Sequence, residues 1–129
     1  MERDRMTKYA ALQSFFSGFD IPAYENTTVP DAEDRTFPYI TYEAGSDSFG
    51  GEIALTFQIW YRSTSWVEAN AKAEQISAAI SRGGKIIRCD GGALWIKKAS
   101  PFAQHLRDDT DDLVRRIVCN ISVEYFTEE

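Results

Sequence analysis

Glu52-Ile53-Ala54-Leu55-Thr56-Phe57-Gln58-Ile59-Trp60-Tyr61-Arg62 alternates without a break. Ile53, Leu55, Phe57, Ile59 and Tyr61 fall on one side, and Ala54, Thr56, Gln58, Trp60 and Arg62 on the other. A period of two is the mark of a strand with one face against a core. Upstream, Phe37-Pro38-Tyr39-Ile40-Thr41-Tyr42-Glu43 reads as a second strand, joined to the first through Gly45-Ser46-Asp47. Downstream, Ser65-Trp66-Val67-Glu68 has the form of a capping box, in which the serine oxygen takes a free backbone N–H and the glutamate reaches back. The helix it opens runs to about Ser81 and stops at Gly83-Gly84. Trp66, Ala69, Ala73, Ile76 and Ile80 line one side of it at steps of three and four, and the alanines let it lie close to a sheet.

Working outward, residues 6–19 carry Tyr9, Leu12, Phe16 and Phe19 at helical spacing, with Thr7 or Asp4 as cap and Gly18 as terminator. Residues 20–37 read as a long loop containing Pro22, Pro30 and the charged run Asp31-Ala32-Glu33-Asp34-Arg35, with Ile21, Ala23 and Tyr24 suited to a short extended piece. Residues 85–89 and 93–99 are short strands around the hairpin signal Asp90-Gly91-Gly92. Because that glycine turn joins strands and opens no helix, it is not read as a phosphate cradle. Residues 100–112 read as a polar connection. Residues 113–126 alternate again, with Leu113, Ile117, Cys119, Ile121, Val123 and Tyr125 on one side. The order α-β-β-α-β-β-β, rich in hairpins, predicts an α+β domain with a mostly antiparallel sheet and two helices.

The 129 residues fit a single domain, and 43% hydrophobic with 13% aromatic residues is a globular composition. A formal net charge of −6 argues against tight non-specific nucleic-acid binding, which needs clustered Lys and Arg. It is compatible with a surface that encloses DNA without holding it. Cys89 and Cys119 each lie in an apolar strand and read as free buried thiols. Residues 1–5 are charged with no apolar run after them, so no signal peptide is expected, and no run reaches the ~20 apolar residues of a membrane span.

Candidate chemistry is sparse. His105, the only histidine, lies in the polar connection with no nucleophile beside it, and reads as a solvated loop residue. Asp108-Asp109-Thr110-Asp111-Asp112 is the densest acidic cluster, but it lacks the spacing and central glycine of a calcium loop and reads as a solvated turn. Lys97-Lys98 and Arg115-Arg116 lie on strands, whose alternation sends the members of each pair to opposite faces. Neither a zinc spacing nor a Walker or dinucleotide fingerprint is present. No catalytic, metal or cofactor residue is assigned.

The back of the sheet is more informative. Trp60, Val114, Val118 and Phe126 sit there among Arg62, Arg116, Thr56, Gln58 and Asn120. Two fates fit such a face: cover by the first helix, or a subunit contact, where aromatics and arginine are enriched. The acidic residues Asp108, Asp109, Asp111 and Asp112 join the candidate interface, because residues 20–37 and 104–112 are too polar for a core and too long for simple connectors. Both segments are expected to be mobile until a partner orders them.

The whole layout resembles the tail terminator and tail-completion (head–tail joining) proteins of long-tailed bacteriophages. The similar features are the N-terminal helix and loop, the strand entered through Phe37-Pro38-Tyr39-Ile40-Thr41-Tyr42, and the long strand ending in Trp60-Tyr61-Arg62-Ser63. They continue with the capped alanine-rich helix and the closing alternating strand with its acidic end. The resemblance implies a virion structural subunit, assembled in the host bacterial cytoplasm into a homo-oligomeric ring, commonly a hexamer. Such a ring sits on the head-proximal end of the tail, stops growth of the tube and offers a surface to the head connector. Its implied partners are the tail tube protein and the connector, with DNA passing through the lumen without sequence-specific binding. It implies no enzyme activity and no membrane. Only Pro38 to Tyr42 and the last strand carry over, as scaffold. Two other readings stand beside it: another neck or head–tail connector subunit, and an unrelated cytoplasmic small-ligand-binding α+β domain, which would need a pocket with converging polar groups.

Overall fold

The computed structural model describes residues 6–128. Two helices, α1 (Lys8–Phe16) and α2 (Val67–Ile80), accompany six strands: β1 (Ala23–Glu25), β2 (Tyr39–Tyr42), β3 (Gly51–Arg62), β4 (Lys85–Cys89), β5 (Gly92–Arg107) and β6 (Val114–Thr127). The strands form one sheet in the order β1-β2-β3-β6-β5-β4. Only β1 and β2 pair in parallel; every other pairing is antiparallel. The chain is α+β, in the expected order with β1 added from the short extended piece.

β3 keeps the predicted phase. Leu55, Phe57, Ile59 and Tyr61 are buried, and register places Leu55 opposite Ile121, Phe57 opposite Cys119 and Ile59 opposite Ile117 on β6. Both helices lie on this one face. Ala11, Leu12 and Phe16 of α1 and Ala69, Ala73, Ile76 and Ile80 of α2 belong to the same buried cluster as the β3 and β6 residues. Phe16 joins them physically, its ring 4.7 Å from that of Tyr42 and 4.9 Å from that of Phe57. Cover of the opposite face by the first helix is therefore excluded; the residues that would have made that contact are spent on the core side.

Local chemistry sets the ends. Thr7 Oγ1 accepts from the Ala10 N–H at 3.0 Å and caps α1; Asp4 lies outside the described residues. The helix does not stop at Gly18 but tightens into a short 3-10 turn, Ser17–Phe19, and Asp20 reverses the chain in the left-handed region at φ 67°. Ser65 Oγ accepts from the Val67 N–H at 3.1 Å, two residues on, a local turn bond in place of the expected box. Among the described residues Glu68 does not complete it: the backbone of Trp66 is already helical and the hydrogen-bonded helix starts at Val67.

The largest departure from expectation is β5. The polar connection expected over residues 100–112 is strand as far as Arg107, paired with β6 from Ala103–Cys119 to Arg107–Arg115. The register shifts between Lys98 and Ala103, where Pro101 has no N–H to give the ladder. Asn120 Nδ2 donates to the Pro101 carbonyl at 2.8 Å and ties the irregular stretch to β6. At the start of β5, a Cβ on Gly92 would lie 1.8 Å from the Phe126 carbonyl oxygen, so only glycine fits the turn.

Candidate interaction surface

The face without helices is organised in cross-strand rows. Register places Tyr39, Trp60, Arg116 and Leu106 side by side on β2, β3, β6 and β5. Alternation puts all four on this side of the sheet. The Trp60 ring lies on the Tyr39 ring, centroids 5.8 Å and planes 13° apart. The Arg116 guanidinium stands 5.1 Å from the Trp60 centroid, and Arg35 stands 5.5 Å from that of Tyr39. Two cations thus bracket a pair of stacked rings. Trp60 Nε1 donates to Thr41 Oγ1 at 2.8 Å, which fixes the indole. Burial raises the Tyr39 hydroxyl above its ordinary value against the lowering effect of Arg35, so the ring stays neutral.

The next row is Thr41, Gln58, Val118 and Gln104. Gln58 Oε1 and Arg116 Nε are buried with no hydrogen-bond partner among the described residues. Polar atoms in that condition are uncommon in finished interiors. At the far end of the face, Lys97 bonds Glu52, lies 3.5 Å from Glu124, and stands 4.2 Å from the Trp95 centroid. Glu52 is held below the ordinary carboxylate range, first by its bond to Lys97 and then by Ser122.

The predicted interface residues do not all meet. Trp60, Arg116 and Val118 are neighbours and half-buried. Val114 is buried, 6% exposed, and lines the cleft at Trp66 and His105. Phe126 is exposed but lies ten residues along β6 from Arg116, about 33 Å away, and belongs to the opposite end of the sheet. Arg62 turns to the acidic turn, its Nε donating to Asp111 Oδ2 at 2.9 Å.

That turn, residues 108–113, is held by its own carboxylates. Asp108 Oδ1 accepts from the Thr110 hydroxyl at 2.7 Å and from the N–H groups of Thr110 and Asp111. Asp111 Oδ1 accepts from the Leu113 N–H at 2.9 Å. Both acids are held below their ordinary range, Asp108 chiefly by the Thr110 hydroxyl and Asp111 chiefly by the Leu113 N–H and then Arg62. Asp109 and Asp112 are exposed. The four aspartates are therefore two turn-formers and two surface charges, not one cluster. Among the described residues no group of three His, Cys, Asp or Glu side chains is placed to hold a metal ion.

His105 is not a loop residue. It sits on β5, its ring lies flat on Trp66 with centroids 3.7 Å and planes 5° apart, and its Nε2 is 2.7 Å from Asn70 Oδ1 on α2. Arg115 stands 5.6 Å from the Trp66 centroid. Trp66, His105 and Arg115 line a cleft of about 480 Å3 with Arg107, Asp108, Asp111 and Asp112. Sequence reading missed this contact because Ser100-Pro101 breaks the strand pattern, and Phe102-Ala103-Gln104-His105-Leu106-Arg107 carries no clear alternation of its own.

Cys89 and Cys119 are both free; Cys119 is buried and Cys89 half-buried. Burial pushes the Cys119 thiol up to about 12, which makes it unreactive at neutral pH. No helix among the described residues is long and apolar enough to cross a membrane. No protein-family model and no curated protein matches this sequence.

Proposed function

We propose that the chain is a structural subunit of a long-tailed bacteriophage virion, assembling as a ring, commonly a hexamer, at the head-proximal end of the tail. There it stops tube growth and joins tail to head connector. It is made in the host cytoplasm, carries no catalytic group, and lets DNA pass through its lumen without sequence-specific contact. The observation that carries this reading is the helix-free sheet face, where half-buried Trp60 and Arg116 meet beside buried Tyr39 and Gln58 Oε1 and Arg116 Nε have no hydrogen-bond partner among the described residues. The layout described above supports it, and the net charge of −6 suits a channel that repels DNA.

The test is tube growth. Tail tube protein polymerised with the chain should give tubes that stop, each capped at one end; phage lacking the chain should make tails of uncontrolled length and loose heads. A subunit that binds heads and never tails would favour the other neck role.

The cleft at Trp66 and His105 favours one further reading, a small-ligand site, because it brings a stacked aromatic pair together with Arg107 and Arg115. A planar polar ligand that raises the melting temperature of the parent but not of Trp66→Ala would support it.

A further inference from the structure

The two margins of the sheet carry opposite charge. At the β1–β2 margin, residues 25–43 hold Glu25, Asp31, Glu33, Asp34 and Glu43 against Arg35 alone. At the β4–β5 margin, residues 85–107 hold Lys85, Arg88, Lys97, Lys98 and Arg107 against Asp90 alone. Sheet order places these strands at opposite ends, five spacings or about 24 Å apart. That exceeds twice the ~8 Å screening length at physiological salt, so one margin does not neutralise the other within a single chain. Asp31, Glu33 and Asp34 are all exposed, as are Lys85, Arg88, Lys98 and Arg107. The ion pairs among the described residues are Arg62–Asp111, Lys97–Glu52 and Lys97–Glu124, and none uses any of these seven. Arg35, the single cation of the acidic margin, is turned inward: its Nη1 donates to the Pro30 carbonyl and its guanidinium lies by Tyr39.

The basic margin is also open in its backbone. β4 pairs with β5 only from Gly92 to Ile96, so β5 beyond that point has β6 on one side and no strand on the other. Over residues 100–107 only Phe102 is less than exposed. An unpaired strand of this length is normally blunted or covered. At the acidic margin β1 is three residues long, and its Ala23 carbonyl is already taken by Gln13 Nε2 at 3.0 Å. The asymmetry points to a lock with two different halves.

We propose that copies of this chain join head to tail, the acidic connection between β1 and β2 of one copy lying against the basic, open β4–β5 margin of the next. Pairing like margins would set acids against acids, whereas unlike pairing sets the exposed acids Asp31, Glu33 and Asp34 against the exposed cations Lys85, Arg88, Lys98 and Arg107 and leaves one margin of each kind free to continue. A repeated contact of that kind closes into a ring when the rotation per copy allows. The proposal rests on the ring reading above for its premise of self-association, and it names the surfaces that reading leaves open. It also leaves the Trp60–Arg116 face uncovered for the tube or the connector.

The test is charge reversal read by light scattering after gel filtration. One chain carries Asp31→Lys, Glu33→Lys and Asp34→Lys; a second carries Lys85→Glu, Arg88→Glu and Lys98→Glu. The parent should associate at low salt and dissociate as salt rises. Each reversed chain alone should associate about tenfold or more weakly, and an equimolar mixture of the two should assemble again, because each then meets its complement. Should a reversed chain melt well below the parent, the neutral set Asp31→Asn, Glu33→Gln and Asp34→Asn replaces it and should weaken association in the same direction. Rings that form equally well from either reversed chain would overturn the proposal and keep the ring reading, moving the contact to the Trp60 face. A mixture that stays dissociated overturns it as well. A parent that is monomeric at every concentration and salt overturns it outright, and binding of that monomer to tail tubes then decides the tail reading separately.

Discussion

Trp60 stacks on Tyr39 from the neighbouring strand and is pinned there by its bond to Thr41, on a face with no helix over it. Trp60→Ala removes the stack, the Arg116 contact and the donor to Thr41, and should cost about 2–3 kcal/mol, somewhat less than a fully buried tryptophan. Trp60→Phe keeps the stack and loses one hydrogen bond, about 1 kcal/mol. Denaturant melts of the two variants check the order; equal losses would mean that the hydrogen bond, not the ring, holds this face.

Phe57 and Ile121 sit on the core face of the two central strands, each 1% exposed. Phe57 also meets the rings of Phe16 and Phe102. Phe57→Ala should cost ~3–5 kcal/mol and Ile121→Ala ~2–5 kcal/mol, against a total stability of ~5–15 kcal/mol. Melting curves that match the parent would place these side chains on the wrong side of the sheet.

The entry to α2 makes a finer distinction. Ser65→Ala removes the acceptor for the Val67 N–H and should cost about 0.5–1 kcal/mol. Glu68→Ala should change stability by less than about 0.5 kcal/mol, since no reciprocal bond is made among the described residues. A loss from Glu68→Ala as large as that from Ser65→Ala would restore the full box.

Much of this was legible because burial and period agree. The β3 and β6 alternations, the α2 stripe of Ala69, Ala73, Ile76 and Ile80, and the Asp90-Gly91-Gly92 turn each follow from one local rule. What was hidden depends on partners far away in sequence. β5 past Pro101 is strand only because β6 is there to pair with it, so His105 reads as loop until Trp66 and Asn70 are brought to it. Asp108 and Asp111 read as solvated charges because an acid that accepts backbone N–H groups looks the same in sequence as one that does not. Which face α1 covers is likewise a tertiary fact: Leu12 and Phe16 fit either side until Tyr42 and Phe57 are placed.

The acidic turn gives a pH test. Asp108 and Asp111 have lowered values in the folded chain, so their contribution is complete above the ordinary value of 3.8 and is lost as pH falls through the lower folded values. Asp108→Ala and Asp111→Ala should lower the melting temperature at neutral pH, whereas Asp109→Asn and Asp112→Asn should leave it unchanged. The gap between parent and Asp108→Ala should narrow as pH falls below the ordinary value of 3.8. A gap constant from neutral to acid pH would show that the carboxylate charge does not hold the turn.

The most direct measurement of the proposed role is electron microscopy of the purified chain, alone and mixed with phage tail tubes. The account predicts closed rings that seat on one end of each tube and leave the other end bare. Single subunits with tubes bare at both ends, or subunits scattered along the tube wall, would contradict it.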